Sequence, residues 1–206
     1  MKKYIHFIYH ATNILSFKLK NKFLNKIFKI KLWLNNVETG ENISIQNKIP
    51  KLHIHHKCTE CKIGNNVLMR SNTGNCWNSP IEIIVKKGAT LIIGDRTGIS
   101  GSLIFCTNRI EIGNNVMIGG GCRIFDTNFH PCEAEKRKNP NTCNNGKSAP
   151  VYIEDDVFIG TSCIIGKGIR IGKGSVIAAG SVVVKSVPAN EIWGGNPAKF
   201  IKRIEQ

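Results

Sequence analysis

Hydrophobic residues are most regularly spaced between Val151 and Ser186, where an aliphatic side chain occurs at every sixth position. A period of six matches neither an amphipathic helix nor the alternation of one long strand. It is typical of a short strand and a turn repeated at fixed length, as in a parallel β-helix. Three hexads would complete one triangular coil, and stacked coils would place these aliphatic residues in one internal column: Ile153, Ile159, Ile165, Ile171, Ile177 and Val183.

The same period is weaker in the preceding part of the chain. Residues 71–80 break it and predict a bulged turn. We therefore predict an all-β fold in which a parallel β-helix covers residues 57–187. The weaker repeat begins near Ile63 and continues in two runs that are offset by one residue: Ile93, Ile99 and Phe105, then Ile112, Ile118 and Ile124.

Two segments interrupt or follow the repeat. Residues 125–150 are polar and rich in Asn, Lys and Pro, which predicts a loop extruded from the solenoid. A loop that leaves a rigid scaffold is a common place for functional residues. Residues 188–206 predict a turn through Gly194–Pro197 and then, from the helical spacing of the last residues, a short helix that caps the final coil.

The first 34 residues contain eight Lys and no acidic residue. Their apolar positions recur every three or four residues, which predicts one or two amphipathic helices in an N-terminal segment that extends to residue 56. Two interpretations stay open. The apolar stripe packs on the solenoid or on a neighbouring subunit, or the basic helix lies on an anionic membrane surface. The stripe consists of Tyr4, Ile8, Ala11, Leu15, Leu19, Phe23, Ile27, Ile30 and Leu34.

Charge and cysteine content narrow the partners and the location. The net charge of +15 favours anionic partners, although no motif for nucleic acid accompanies it and none is expected to bind. The eight cysteines are too sparse for a disulfide scaffold, and Cys122 and Cys163 fall on inward positions of the repeat. We expect a reducing, cytoplasmic location, with peripheral contact at the membrane's inner face as an open alternative. Neither a cleavable signal peptide nor a transmembrane helix is expected, because polar residues interrupt the first apolar stretch.

A cluster of histidines and cysteines raises the question of a metal. His53, His55 and His56 precede Cys58 and Cys61. A single C-x-x-C pair is a weak zinc signal without a second pair, and the place of Cys61 in the repeat already explains it as a packing residue. We expect no metal.

Three motifs together resemble the hexapeptide-repeat O-acetyltransferases, the family of the maltose, galactoside, nodulation-factor and polysaccharide acetyltransferases. They are Asp-Thr-Asn-Phe-His-Pro at 126–131 with the polar loop after it, VVVKSVPAN at 182–190, and GGNPAKFIKRI at 194–204. The resemblance covers about residues 90–204. It implies a left-handed β-helix, a homotrimer with active sites between adjacent subunits, acetyl-CoA as co-substrate and a carbohydrate hydroxyl as acceptor.

The resemblance also assigns roles to individual residues. Acetyl transfer needs a general base near the acceptor hydroxyl, a donor for the oxyanion and a site that holds both substrates. His130 matches the family's catalytic base, and histidine suits a base near neutral pH. Asp126 could orient the imidazole or bind an acceptor hydroxyl, or it could simply form a turn.

For the co-substrate, the resemblance points to the later coils. Gly160 and Thr161 match positions that line the pantetheine channel, and Ala179 stands where a small residue lets that arm pass. Lys185 matches a lysine near the nucleotide phosphates, with Lys199 and Arg203 as further candidates. The chain departs from the family's pattern at two positions: Phe158 replaces a frequent Trp, and Val184 replaces a frequent hydroxyl residue.

The preferred hypothesis is acetyl-CoA-dependent O-acetylation of a carbohydrate, in surface polysaccharide or lipopolysaccharide synthesis. Three alternatives stay open. One is N-acylation of a nucleotide-linked amino sugar on the same fold. Another is a metal-dependent β-helix of the γ-carbonic-anhydrase type, which would need three converging histidines although only His130 is expected within the repeats. The last is a non-catalytic solenoid that serves assembly or membrane binding.

Overall fold

Short parallel strands wind the chain into a triangular solenoid that follows a long N-terminal helix. The computed structural model describes residues 2–71 and 79–205, with side chains from Leu15 onwards except residues 16 and 18. Most of the predicted bulged turn at 71–80 lies outside the described residues. Helix α1 (Lys2–Leu34) is continuous, so the predicted helical arm is one helix.

Three sheets form the sides of the triangle, and within each sheet every strand of the coils pairs in parallel with the strand one coil away. Sheet A contains β1 (Glu38–Thr39), β4 (Glu60–Ile63), β7 (Thr90–Ile93), β10 (Arg109–Ile112), β13 (Val151–Ile153) and β16 (Arg170–Ile171). Sheet B contains β2 (Ser44–Gln46), β5 (Leu68–Arg70), β8 (Gly98–Ser100), β11 (Met117–Ile118), β14 (Phe158–Ile159), β17 (Val176–Ile177), β19 (Glu191–Gly195) and β20 (Ala198–Arg203). Sheet C contains β3 (Lys51–Ile54), β6 (Glu82–Val85), β9 (Leu103–Cys106), β12 (Arg123–Phe125), β15 (Ile164–Ile165) and β18 (Val182–Val183).

The chain passes from sheet A to B to C and back, which makes the fold a left-handed parallel β-helix as predicted. The period-six aliphatics form the expected internal column, and Ile159, Ile165 and Ile177 are fully buried. Cys122 and Cys163 are buried beside them, in agreement with their predicted inward positions. Strands of two or three residues suffice because each one is paired on both sides by neighbouring coils.

Corners between sheets A and B are built from a ladder of polar side chains. Asp95 accepts a hydrogen bond from the backbone N–H of Asn65 at 2.7 Å, and Asp155 accepts one from the N–H of Asn114 at 2.7 Å. A side chain at Gly94 would collide with Gly113 of the next coil, whose backbone lies 2.6 Å from the position of a Cβ. The corner therefore needs glycine followed by Asn or Asp, which explains the polar pairs of the sequence.

The structure corrects the predicted start of the solenoid at residue 57. β1 already pairs with β4, β2 with β5 and β3 with β6, so the first coil begins at Glu38. Its inward residues Ile43 and Ile45 are buried like those of later coils. The repeat is hidden in the sequence because this first coil has longer polar corners than the hexads that follow.

The C-terminal capping helix of the sequence-based prediction is wrong. Residues 198–203 form β20, which pairs antiparallel with β19 and extends sheet B. Gly195 adopts a left-handed φ of 101° in the turn between them. This turn reverses the chain, and β20 then satisfies the backbone groups along the free edge of β19, which outweighs the weak helical spacing of a six-residue stretch.

Candidate active site

The loop at 126–150 leaves the solenoid through a paired stem. Thr127 and Ser148 form an antiparallel bridge, the N–H of Asn128 donates to the carbonyl of Lys147 at 3.0 Å, and the N–H of Ala149 donates to that of Asp126 at 2.9 Å. Beyond the stem, α2 (Ala134–Lys138) is a short exposed helix. The stem fixes both ends of the loop at the corner where sheet C passes to sheet A.

Phe129 occupies a strained conformation directly before His130. Its φ is +62°, a region that aromatic residues rarely adopt. Its ring packs against Phe105 and Phe125 of sheet C, with ring centroids 4.9 and 5.4 Å away. Backbone strain of this kind persists only where the surroundings hold it, and it is concentrated at functional sites.

His130 is exposed, and its ring is held by a backbone carbonyl. Nδ1 lies 2.6 Å from the carbonyl oxygen of Cys143, on the far side of the loop. A carbonyl can only accept, so Nδ1 carries the proton and Nε2 keeps its lone pair. Nε2 makes no hydrogen bond to any residue that the structure describes. The ring is therefore oriented as a base with its accepting nitrogen toward solvent.

Asp126 does not take the predicted place beside the imidazole. It is fully buried, and its Oδ1 accepts hydrogen bonds from the N–H of Thr107 at 2.8 Å and from that residue's hydroxyl at 2.7 Å. Its Oδ2 accepts the N–H of Asn108 at 2.7 Å. Both oxygens thus anchor the loop stem to the corner of the preceding coil. The structure supports the turn-forming interpretation of Asp126, and the Cys143 carbonyl takes the orienting role.

Gly160, Thr161 and Ala179 lie together at the corner where sheet B passes to sheet C. A Cβ at Gly160 would lie 2.6 Å from the backbone nitrogen of Ala179, so successive corners stack with no room for a side chain. The N–H of Gly160 donates to the carbonyl of Ile177 at 2.8 Å and is not free for a ligand. Among the described residues, the N–H groups of Thr161 and Ala179 have no acceptor. These two are the donors that the corner offers.

Of the three predicted cations, only Lys199 lies near this corner. It pairs with Gly194 across the hairpin, and the position of a Cβ on Gly194 is 2.9 Å from the Cβ of Ala178. Arg203 lies at the opposite end of the hairpin, where its Nε is 3.9 Å from a carboxylate oxygen of Glu191. Lys185 is exposed after β18, at the corner between sheets C and A. The structure therefore separates Lys199 from the other two.

The base and the glycine-rich corner flank the same sheet without meeting. In each coil the corner precedes the sheet C strand, and the loop with His130 leaves after β12. About five extended residues separate these points, which corresponds to about 16 Å. One copy of the chain does not bring His130 within reach of Thr161 and Ala179.

Phe158 and Val184, the two departures from the family's pattern, are both on the surface. Phe158 lies beside Met117 on the outer face of sheet B, where a depression of about 420 Å³ is also lined by Arg70 and Arg96. Phe158 is thus an exposed aromatic surface of the kind that sugars stack on. Val184 is exposed next to Lys185.

The histidines near the N-terminus have other contacts. His53, which lies within the first coil and not before the repeats as predicted, has its Nε2 3.3 Å from Glu82, and the rings of His55 and His56 stack at 4.5 Å. Cys61 is buried, and burial raises the pKa of its thiol to about 12. No group of three or more His, Cys, Asp or Glu placed to hold a metal ion occurs among the described residues. No described helix is long and apolar enough to cross a membrane.

Sequence missed several features that shape this site. The Cys143 carbonyl and the free N–H groups are backbone atoms, which leave no signal in side-chain chemistry. Gly146 was also missed, although a Cβ there would lie 2.7 Å from the backbone nitrogen of His130. A lone glycine in a polar loop is only a hint of such a close approach.

Residues 150–185 match the family model described as the hexapeptide repeat of succinyl-transferase. A Schizosaccharomyces pombe protein provisionally named an acetyltransferase is 43% identical over 98 residues, 47% of this chain and 44% of that protein. Protein CapG of Staphylococcus aureus is 47% identical over 96 residues, 47% of this chain and 54% of that protein. The mitochondrial gamma carbonic anhydrase 2 of Arabidopsis thaliana is 33% identical over 127 residues, 55% and 45% of the two chains. The chain spans about half the length of these curated relatives.

Solved structures of similar shape cover most of the chain. The polySia-specific acetyltransferase NeuO is 28% identical with a TM-score of 0.56, covering 82% of this chain and 87% of that one. A maltose O-acetyltransferase from Clostridium difficile is 25% identical with a TM-score of 0.53, covering 93% and 88%. A hexapeptide-repeat acetyltransferase from Vibrio cholerae matches in fold with a TM-score of 0.59 at 22% identity, covering 94% of both chains. The resemblance seen in the sequence is confirmed: the chain carries the repeat and the left-handed β-helix of the hexapeptide-repeat acetyltransferases.

Proposed function

We propose that the chain is an acetyl-CoA-dependent O-acetyltransferase that acts on a carbohydrate hydroxyl, with His130 as the general base. The observation that carries the proposal is the imidazole itself, fixed through Nδ1 by the Cys143 carbonyl and exposed at Nε2. A neutral histidine held in one tautomer is prepared to accept a proton from a hydroxyl. The loop that presents it is rooted by Asp126 and by the strained Phe129.

The reaction needs one proton transfer in each direction. Nε2 of His130 takes the proton of the acceptor hydroxyl while its oxygen attacks the thioester carbonyl. The resulting oxyanion requires hydrogen-bond donors, and the N–H groups of Thr161 and Ala179 are the ones that the corner leaves free. Collapse breaks the carbon–sulfur bond, and the proton on Nε2 passes to the departing thiolate. The products are an acetyl ester and free coenzyme A.

Separation of the two halves within one chain supports an active site between copies. Hydroxyl oxygen and thioester carbon must approach to about 3 Å, whereas His130 and the corner are about 16 Å apart by strand length. We propose that the loop of one subunit faces the corner of its neighbour in a homotrimer. Lys199, at the edge of that corner, would then meet the anionic nucleotide end of the co-substrate.

Similar proteins support the substrate class. NeuO is named as specific for polySia, and the Clostridium difficile enzyme as a maltose O-acetyltransferase, so both act on carbohydrates. A Vibrio cholerae acetyltransferase of the same fold, 20% identical, was solved with acetyl coenzyme A. The exposed Phe158 and the depression beside it would suit the face of a sugar ring.

Acceptor-dependent release of free thiol from acetyl-CoA, across mono-, oligo- and lipid-linked saccharides, tests this proposal. Thiol release with a sugar and a hydroxylamine-labile product would establish O-acetylation. A hydroxylamine-stable product would instead establish N-acylation, the alternative on the same fold. Failure of the protein to bind acetyl-CoA at all would contradict the proposal.

The identity with a gamma carbonic anhydrase favours one second candidate, a metal-dependent β-helix enzyme. Such a site needs histidines that converge on one ion, and His130 is several coils away from His53 along the solenoid. Metal content of the purified protein and CO₂ hydration activity decide this candidate. Bound zinc together with hydration activity would favour it over acetyl transfer.

A further inference from the structure

Helix α1 presents two different faces. One face packs on the first coil through Phe28 and Leu32, which are almost completely buried, and through Asn25, whose side chain accepts the N–H of Ile45 at 2.6 Å. The described apolar residues of the predicted stripe are not on that face. The solenoid-packing interpretation of the stripe is therefore wrong for the described part of the helix.

At about 100° per residue, the stripe lies roughly opposite the packed face. Its members are far too exposed for core residues: Phe23 is 65% exposed, Ile30 58% and Trp33 75%. From residue 15 to residue 34 the stripe runs for about 30 Å along the helix. Its described members are Leu15, Leu19, Phe23, Ile27, Ile30, Trp33 and Leu34.

Lysines border this stripe on both sides. Lys22, Lys26 and Lys29 follow one border, and Lys20 and Lys31 lie near the other when the helix is viewed down its axis at about 100° per residue. Lys31 also donates to the carbonyl of Pro50 at 3.0 Å, and the other four are exposed. The helix contains no acidic residue to neutralise them.

We infer that α1 docks this stripe on an anionic lipid bilayer, with the helix in the plane of the surface. Apolar side chains would enter the boundary of headgroups and acyl chains, and the flanking lysines would reach the lipid phosphates. Trp33 at the end of the stripe is the side chain that membrane interfaces favour most. The solenoid, held on the opposite face of the helix, would stay on the water side.

Charge decides between a membrane and a second copy of the chain. Two stripes packed face to face would bring the lysine borders of both helices together with no carboxylate between them, which costs free energy. An anionic bilayer instead supplies the opposite charge along the whole helix. The lipid surface is therefore the occupant that complements both the apolar and the basic parts.

Co-sedimentation of the full chain with vesicles tests this inference independently of catalysis. Vesicles of phosphatidylcholine with about one third phosphatidylglycerol should bind the protein, pure phosphatidylcholine should bind it at least about tenfold less, and added salt should weaken binding. The variant Phe23→Ser with Ile30→Ser should lose about tenfold or more in binding. Lys22→Gln with Lys26→Gln and Lys29→Gln should lose about 100-fold at low salt.

Two matched variants serve as controls. Phe200→Ser with Ile201→Ser removes two equally exposed apolar residues from β20, and Lys57→Gln with Lys86→Gln and Lys87→Gln removes three exposed charges from the solenoid. Both should bind anionic vesicles like the wild type. Wild type that stays in the supernatant, or controls that lose binding as much as the helix variants, would overturn the inference. Self-association without vesicles that is lost on Phe23→Ser and Ile30→Ser would assign the stripe to a second copy instead.

Discussion

The coils at 151–187 and the loop at 126–150 are neighbours in sequence, yet they are stabilised in opposite ways. In the coils every sixth residue is buried in one column, and each strand pairs with coils on both sides. In the loop beyond its stem the described side chains are mostly exposed, and order depends on a few hydrogen bonds. Substitutions in the coils should therefore change stability, whereas substitutions in the loop should change activity.

The largest effect on stability is expected in the coil column. Ile165→Ala removes a fully buried side chain from a close-packed stack, which should lower the free energy of unfolding by about 2–5 kcal/mol. Glu135→Ala, in the exposed ion pair with Lys138, should change it by no more than about 0.5 kcal/mol. Urea unfolding followed by circular dichroism measures both. Equal losses would contradict the contrast between coils and loop.

Asp126 is the exception that sharpens the comparison, because it belongs to the loop and is buried like a core residue. Asp126→Ala would leave the N–H groups of Thr107 and Asn108 without acceptors, at a cost of about 2–5 kcal/mol. Asp126→Asn keeps one accepting oxygen and should cost less. If Asp126→Ala instead abolished activity with an unchanged urea midpoint, Asp126 would be catalytic after all.

Gly146 tests whether the loop controls the position of the base. An alanine there would press on the backbone of Phe129 and His130, and a displacement of about 1 Å can reduce kcat by about 100-fold. The free energy of unfolding should change by about 1 kcal/mol at most, because the residue is outside the core. Gly98→Ala is the matched control, since a Cβ there meets nothing within 4 Å. Unchanged kcat in Gly146→Ala would show that the loop tolerates movement of the base.

The smallest effect is expected at the polar ladder of the coils. The N–H of Asn65 lowers the pKa of Asp95 below its ordinary value of 3.8. A lowered pKa means that the carboxylate stabilises the fold above that ordinary value and loses this contribution as pH falls through the lower pKa of the folded state. Asp95→Asn should therefore melt slightly below wild type near neutral pH, and the difference should vanish in acid. A difference that grew in acid would have the wrong sign.

The solenoid could be predicted because its physical cause is written in side chains. Each aliphatic of the hexads faces the column, so the period of six is visible wherever corners have constant length. The first coil was missed because its corners are longer, although Ile43 and Ile45 are as buried as any later residue. The terminal hairpin was missed because a free strand edge at β19 decides it, and such an edge exists only in the folded chain.

The candidate site could be predicted only at the level of its side chains. The motif identified His130, but its orientation depends on a carbonyl 13 residues away and on the positive φ of Phe129. Backbone atoms and dihedral angles carry no side-chain signature. For the same reason sequence could not tell that the N–H of Gly160 is committed to its own coil while those of Thr161 and Ala179 are not.

The most direct test of the central claim is the rate of acceptor-dependent thiol release by His130→Ala, measured beside His56→Ala. His56 is an exposed histidine of the first coil and serves as the control. Loss of a general base should lower kcat by about 100- to 10,000-fold while acetyl-CoA binding and the urea midpoint stay at wild-type values. His56→Ala should retain full activity. A His130→Ala variant that turns over at the wild-type rate would contradict the account.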